Sequence, residues 1–140
     1  MEQLKACYEA YFAQAEKVWK ERPVWDGMLG LGSSVKDHPC HREFYDAVQT
    51  WVENFVKESP TAETAGEAVT YILQTSEAHK GQFTYWALFA AHGLVQPMIP
   101  LLTPQCAAQT LQWYEKMLPR QERMPVHRDV IKLLKKHQRQ

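Results

Sequence analysis

The stretch GQFTYWALFAAHGLVQPMIPLLTPQCAAQTLQWY, residues 81–114, decides the fold. It holds no Asp, Glu, Lys or Arg, and 20 of its 34 residues are apolar. A membrane-spanning helix needs about 20 mostly apolar residues in a row. Here the compact run extends only from Phe83 to Val95, contains His92 and Gly93, and is followed by Pro97, Pro100 and Pro104. The stretch therefore reads as the buried centre of a domain, and no transmembrane segment is expected. Residues 82–95 predict a helix that is apolar nearly all round, the pattern of a rod covered on most sides. Met98 to Leu102 follow as a short apolar turn.

Outward from this centre, proline does most of the parsing, because its ring is tolerated in a helix's first turn and not in its interior. Residues 2–21 predict a first helix, with Leu4, Tyr8, Tyr11, Phe12, Ala15, Val18 and Trp19 at helical spacing. Residues 39–58 predict a second, striped by Phe44, Val48, Trp51, Val52, Phe55 and Val56, with Asp37 or His38 as cap and Pro39 in the first turn. Residues 60–80 predict a third, capped by Ser59 or Thr61, with Ala65, Ala68, Val69, Ile72 and Leu73 inward. A fifth begins at Thr103-Pro104 and runs to about Leu118; the last covers about 126–137, with Val126, Val130, Ile131 and Leu134 inward. No run alternates with period two, so no strand is expected. The fold class is all-α, with about six helices stacked as antiparallel αα-hairpins. Both an irregular αα-superhelix and a closed helical bundle satisfy the pattern. The run from Trp86 to Leu102 resembles a HEAT or armadillo unit over one repeat's length at most. It has no second copy at a fixed period, so it assigns no family.

The chain has 140 residues, 45% apolar and 23% charged, with zero formal net charge. That predicts a single helical domain over 1–140, and it excludes both intrinsic disorder for most of the chain and a globally basic nucleic-acid binder. Cys7, Cys40 and Cys106 are odd in number, far apart and without a CxxC pair. With no apolar leader after Met1, this composition predicts a reducing, cytoplasmic setting.

The connection at residues 22–38 carries Gly27, Gly30 and Gly32 together with Val24, Trp25, Met28, Leu29 and Leu31, which predicts a packed Ω-loop. Its Gly-Leu-Gly-Ser-Ser run is not a phosphate loop, because no Gly-Lys-Ser/Thr ending leads into a helix and no strand precedes it. Asp37-His38-Pro39-Cys40-His41 follows. A metal would draw on His38, Cys40 and His41, joined by Glu77, His79 or His92 from another helix. Pro39 holds His38 extended, which works against convergence. Cys40, in a helix's first turn, is placed where free N–H groups lower a thiol pKa. The plainer alternatives are that His38 only caps, His41 sits in solvent and Cys40 is a small buried hydrophobe. His92, inside the charge-free run, needs a hydrogen-bond partner, by type Tyr85 or a tyrosine from another helix.

No Ser/His/Asp arrangement or GxSxG elbow occurs, so no catalytic residue is named, the balance leans away from an enzyme, and no cofactor is expected. Zero net charge nonetheless hides an asymmetry. Residues 120–140 hold seven Lys/Arg against two acids, or +5, and the remaining 119 hold nine against fourteen, or −5. Arg128, Lys132, Lys135 and Arg139 recur at helical spacing and share one face. They are candidates for contact with an acidic protein, an RNA backbone or an anionic membrane surface. No specific DNA binding is expected. The first expectation is a protein-protein interaction module whose partner is another protein or itself. The second is a small-ligand- or metal-binding protein or an enzyme using the 22–41 region and His92, and the third is anionic-surface contact, RNA or membrane, through the last helix.

Overall fold

The computed structural model describes residues 1–23, 35–81, 83–84 and 86–140. The glycines, Trp25 and the other apolar residues of the predicted Ω-loop fall in 24–34, outside the described residues, as does Tyr85. The fold is all-α. Among the described residues there are six α-helices: α1 (Glu2–Lys20), α2 (Pro39–Lys57), α3 (Ala62–His79), α4 (Ala87–Ala91), α5 (Pro104–Met117) and α6 (Pro125–Gln138). A ten-residue 3₁₀ helix, His92–Leu101, continues α4, a 3₁₀ turn at Arg120–Glu122 precedes α6, and no strand occurs among the described residues. No helix among them is long and apolar enough to cross a membrane.

The helix ends follow local chemistry. Pro39, Pro104 and Pro125 each occupy the first helical position, where a missing N–H costs nothing. His38 caps α2 through its ring, accepting from the Cys40 N–H at 3.1 Å. The Thr61 hydroxyl accepts from Thr64 N at 3.1 Å, and Thr103 from Cys106 N at 3.0 Å. Such caps satisfy orphan donors of the first turn and stabilise a helix by about 1 kcal/mol each.

The predicted fourth helix departs from expectation. Only Ala87–Ala91 is α-helical; from His92 the chain tightens into a 3₁₀ helix that runs through Pro97 and Pro100. In an α-helix each proline ring would collide with the carbonyl four residues back and leave it without a donor. The tighter winding keeps the rod apolar and continuous across both prolines.

This rod is the hub. The 3₁₀ helix packs on α2, α3, α4 and α6, while α1 pairs with α2 and α5 with α6. The short α2–α3 connection does not make those two helices close neighbours; the α4–3₁₀ rod takes that place against both. Leu88, Val95, Met98 and Ile99 are buried at the centre with Tyr8, Phe44, Ile72, Tyr114 and Leu134 from the surrounding helices. Each such side chain contributes about 1.5–3 kcal/mol on burial. Two glycines set close approaches. A Cβ on Gly66 would lie 3.1 Å from Cys106 Sγ, and one on Gly93 would lie 3.1 Å from Val126 Cγ2. The first joins α3 to α5, and the second joins the 3₁₀ helix to α6.

Candidate functional site

Two constellations stand out. The first is buried between α3, the 3₁₀ helix and α6. Glu77 continues the inward stripe of α3 one turn past Leu73, and His127 lies one turn before Val130 and Ile131 on the inward face of α6. Both are therefore carried into the core by the periodicity that buries their apolar neighbours. His92 meets them from the start of the 3₁₀ helix. Its Nδ1 lies 2.5 Å from the Tyr114 hydroxyl of α5, and its Nε2 lies 3.4 Å from Glu77 Oε2. The latter contact is longer than a good N–H···O hydrogen bond. The other carboxylate oxygen of Glu77 pairs with the half-exposed Lys80 ammonium. The Met124 N–H donates to His127 Nδ1 at 3.1 Å.

Two buried atoms in this cluster have no hydrogen-bond partner, Glu77 Oε2 and His127 Nε2. Each unsatisfied buried polar atom costs about 1–3 kcal/mol. The ligand-type atoms of Glu77, His92 and His127 all lie within 4.8 Å of one another. Burial pushes the Glu77 carboxyl upward, but the nearby His92 ring and the paired Lys80 ammonium outweigh that and hold it at about 2. Burial pulls His127 down to about 4, with His92 adding to the effect and Glu77 opposing it. Burial raises the Tyr114 phenol well above its ordinary value. At neutral pH the cluster is thus a carboxylate facing a neutral His127. Because that ring accepts at Nδ1, its proton sits on Nε2.

The metal set anticipated around residues 38–41 is not assembled. His38 is used as the α2 cap. His41 is buried rather than solvated, with the Tyr11 hydroxyl 2.6 Å from its Nδ1 and its Nε2 donating to the Val35 carbonyl at 2.7 Å. Cys40 is buried among apolar side chains, and burial pushes its thiol up, outweighing the helix-terminus effect that lowers it. His79 stacks on Phe12 and bonds Thr75 O through Nδ1 at 3.0 Å. Of the five candidates only His92 belongs to the one cluster of three metal-type ligands among the described residues. Glu77 was anticipated as a possible helper, whereas His127 was missed. Its signal was present all the same, an imidazole on the apolar stripe of Val130, Ile131 and Leu134.

The second constellation lies at the surface. Arg128, Lys132, Lys135 and Arg139, one face of α6, line an open groove of about 810 Å³ with Arg120, Arg123, Lys136 and Ile131. All seven cations of residues 120–140 line this concavity; the two acids of that stretch, Glu122 and Asp129, do not. Among the described residues none of the seven pairs with a carboxylate. The groove is firmly framed. Arg123 Nε donates to Leu118 O at 2.9 Å and Arg128 Nη1 to Arg123 O at 2.7 Å, which ties the 3₁₀ turn to α6. At the far end of α6, His137 Nε2 lies 2.5 Å from the Leu102 carbonyl.

Comparison with known protein families, curated proteins and solved structures finds no significant match to this chain.

Proposed function

We propose that the protein is a helical interaction module that grips an acidic segment of a partner protein in the groove along α6. One observation carries the reading: seven cations converge on a single concavity without a carboxylate among them. Seven like charges repel, and an anionic ligand relieves that repulsion while gaining charge-assisted bonds to four guanidinium groups. The groove is concave, which suits a protruding peptide better than a flat lipid surface. Its lining has no aromatic side chain on which a base could stack. The rest of the chain carries −5, which opposes a long polyanion reaching beyond the groove.

The test is binding of a Glu/Asp-rich peptide, followed by fluorescence anisotropy, against single-stranded RNA and anionic vesicles. The peptide binds best, and its affinity falls as salt rises. Lys132→Ala with Lys135→Ala weakens it about tenfold or more, equivalent to about 1.4 kcal/mol. Both positions are exposed, so folding is expected to be unaffected. Tighter binding of RNA or vesicles, or peptide binding indifferent to the double substitution, overturns the proposal.

A further inference from the structure

We infer that Glu77 Oε2, His92 Nε2 and His127 Nε2 form a binding site for a divalent transition-metal ion of the zinc class. This site is separate from the groove and lies on the core side of α6.

Two buried polar atoms in the cluster are orphaned. Glu77 is 8% exposed, and His92 and His127 are each 1% exposed. Glu77 Oε2 and His127 Nε2 are buried without a hydrogen-bond partner, and the only contact between Glu77 Oε2 and His92 Nε2 is a long one of 3.4 Å. Three elements distant in sequence thus aim three metal-type ligand atoms at one small volume. One cation satisfies all three at once. Two imidazole nitrogens and one carboxylate oxygen are a donor set suited to zinc and its first-row neighbours, with a further position left for water.

The surroundings fit the roles of outer partners. Tyr114 meets His92 Nδ1 and, when that nitrogen carries the proton, accepts from it and leaves Nε2 free to ligate. Lys80 occupies the other oxygen of Glu77 and so turns Oε2 toward the imidazoles. A tetrahedral ion with bonds of about 2.0–2.2 Å sets its ligand atoms about 3.3–3.6 Å apart. The spread of up to 4.8 Å closes with side-chain shifts of about 1 Å.

One bond has to change. His127 Nδ1 accepts the Met124 N–H, so in the metal-free protein the ring proton is on Nε2. Ligation through Nε2 moves that proton to Nδ1, with no net proton released, and the Met124 N–H loses its acceptor. Loading the site therefore loosens the first turn of α6, the helix that carries the basic groove. That coupling gives the proposal a signature that adventitious surface binding lacks.

The experiment uses the whole chain, freed of metal by a chelator and then titrated with Zn(II) or Co(II) in the absence of any peptide. One ion per chain is expected, with a four-coordinate Co(II) visible spectrum. At a hundredfold excess of zinc over Kd, Tm rises by roughly 5–10 °C. Glu77→Gln and His127→Gln each weaken zinc binding by about tenfold to a hundredfold or more. His79→Gln and the Cys7→Ser/Cys106→Ser double variant keep it. Should the buried variants fail to fold, amide exchange in the wild-type protein decides. The Met124 amide exchanges faster with zinc than with chelator if the ion binds through His127. No stoichiometric metal with an unchanged Tm, or binding that survives in folded Glu77→Gln and His127→Gln, or an unaltered Met124 exchange rate, overturns the site. Failure of the metal site leaves peptide binding by the groove intact, so the two proposals fall separately.

Discussion

Replacing Tyr114 by Phe removes one oxygen from the centre of the molecule and nothing else. The ring is fully buried, so its packing against Trp113 and His127 persists. What is lost is the 2.5 Å contact to His92 Nδ1. His92 is 1% exposed, so water does not take over. Leaving a buried polar atom without a partner costs about 1–3 kcal/mol, and the phenol's own desolvation, no longer incurred, returns only part of it. The expected loss of stability is thus about 1–3 kcal/mol, or roughly 3–10 °C in Tm for a domain of this size. The assay is urea unfolding at neutral pH with chelator present, followed by circular dichroism, with an unchanged m-value showing that the denatured state is not the source. Tyr45→Phe is the control, because the Tyr45 ring is only half-buried and packs beside Trp86 and Arg42. It should cost less than about 0.5 kcal/mol. A Tyr114→Phe protein within about 0.5 kcal/mol of wild type refutes the reasoning, since the buried imidazole would then not depend on the phenol. In the presence of zinc the same substitution should weaken metal binding about tenfold to a hundredfold, as expected when an outer partner of a ligating histidine is removed.

Three further outcomes are expected. Gly93→Ala places a methyl 3.1 Å from Val126 Cγ2 and pushes the 3₁₀ helix off α6, so stability should fall by about 1–3 kcal/mol in chemical denaturation; a neutral result would mean that the interface gives way easily. Cys40 should resist alkylation at neutral pH until the chain unfolds, whereas the half-exposed Cys7 and Cys106 react first; peptide mapping that finds Cys40 labelled early would contradict its burial and raised pKa. His41 is held below the ordinary imidazole range by burial, against the opposing pull of the Val35 carbonyl. The unfolded chain therefore takes up this proton first as pH drops below about 6.5, and stability is lost from there down toward the folded-state value. Wild type should lose more stability between neutral and mildly acid pH than His41→Gln, and equal losses would show that His41 stays neutral in both states or titrates alike in both.

The division between what was legible in the sequence and what was not follows the range of the forces involved. Helix ends are local events. Pro39, Pro104 and Pro125 fix first positions, and Thr61 and Thr103 reach donors three residues on. The inward stripe and the opposed face of Arg128, Lys132, Lys135 and Arg139 are likewise set by the winding of α6 alone. The charge-free stretch announced a central rod for the same reason, since only a covered segment can dispense with charge so completely. Its internal winding was not legible, because the tally of apolar residues does not distinguish a straight α-helix from five α-helical residues followed by a 3₁₀ rod through two prolines.

The geometry of both candidate sites depended on the tertiary structure. Glu77, His92 and His127 look in sequence like three isolated polar residues in apolar surroundings, and only the seating of the central rod against both α3 and α6 brings them within reach of one another. The proximity of His38, Cys40 and His41 in sequence was a poor guide, because a helix start points successive side chains in different directions and each found its own neighbour. Arg120 and Arg123 join the α6 cations because the turn after Pro119 folds back and is tied to Leu118 and α6 by guanidinium–carbonyl bonds. Periodicity along a chain states which side of a helix is buried. Which buried groups meet is decided by the register of one helix on another, a long-range packing choice that no local pattern encodes.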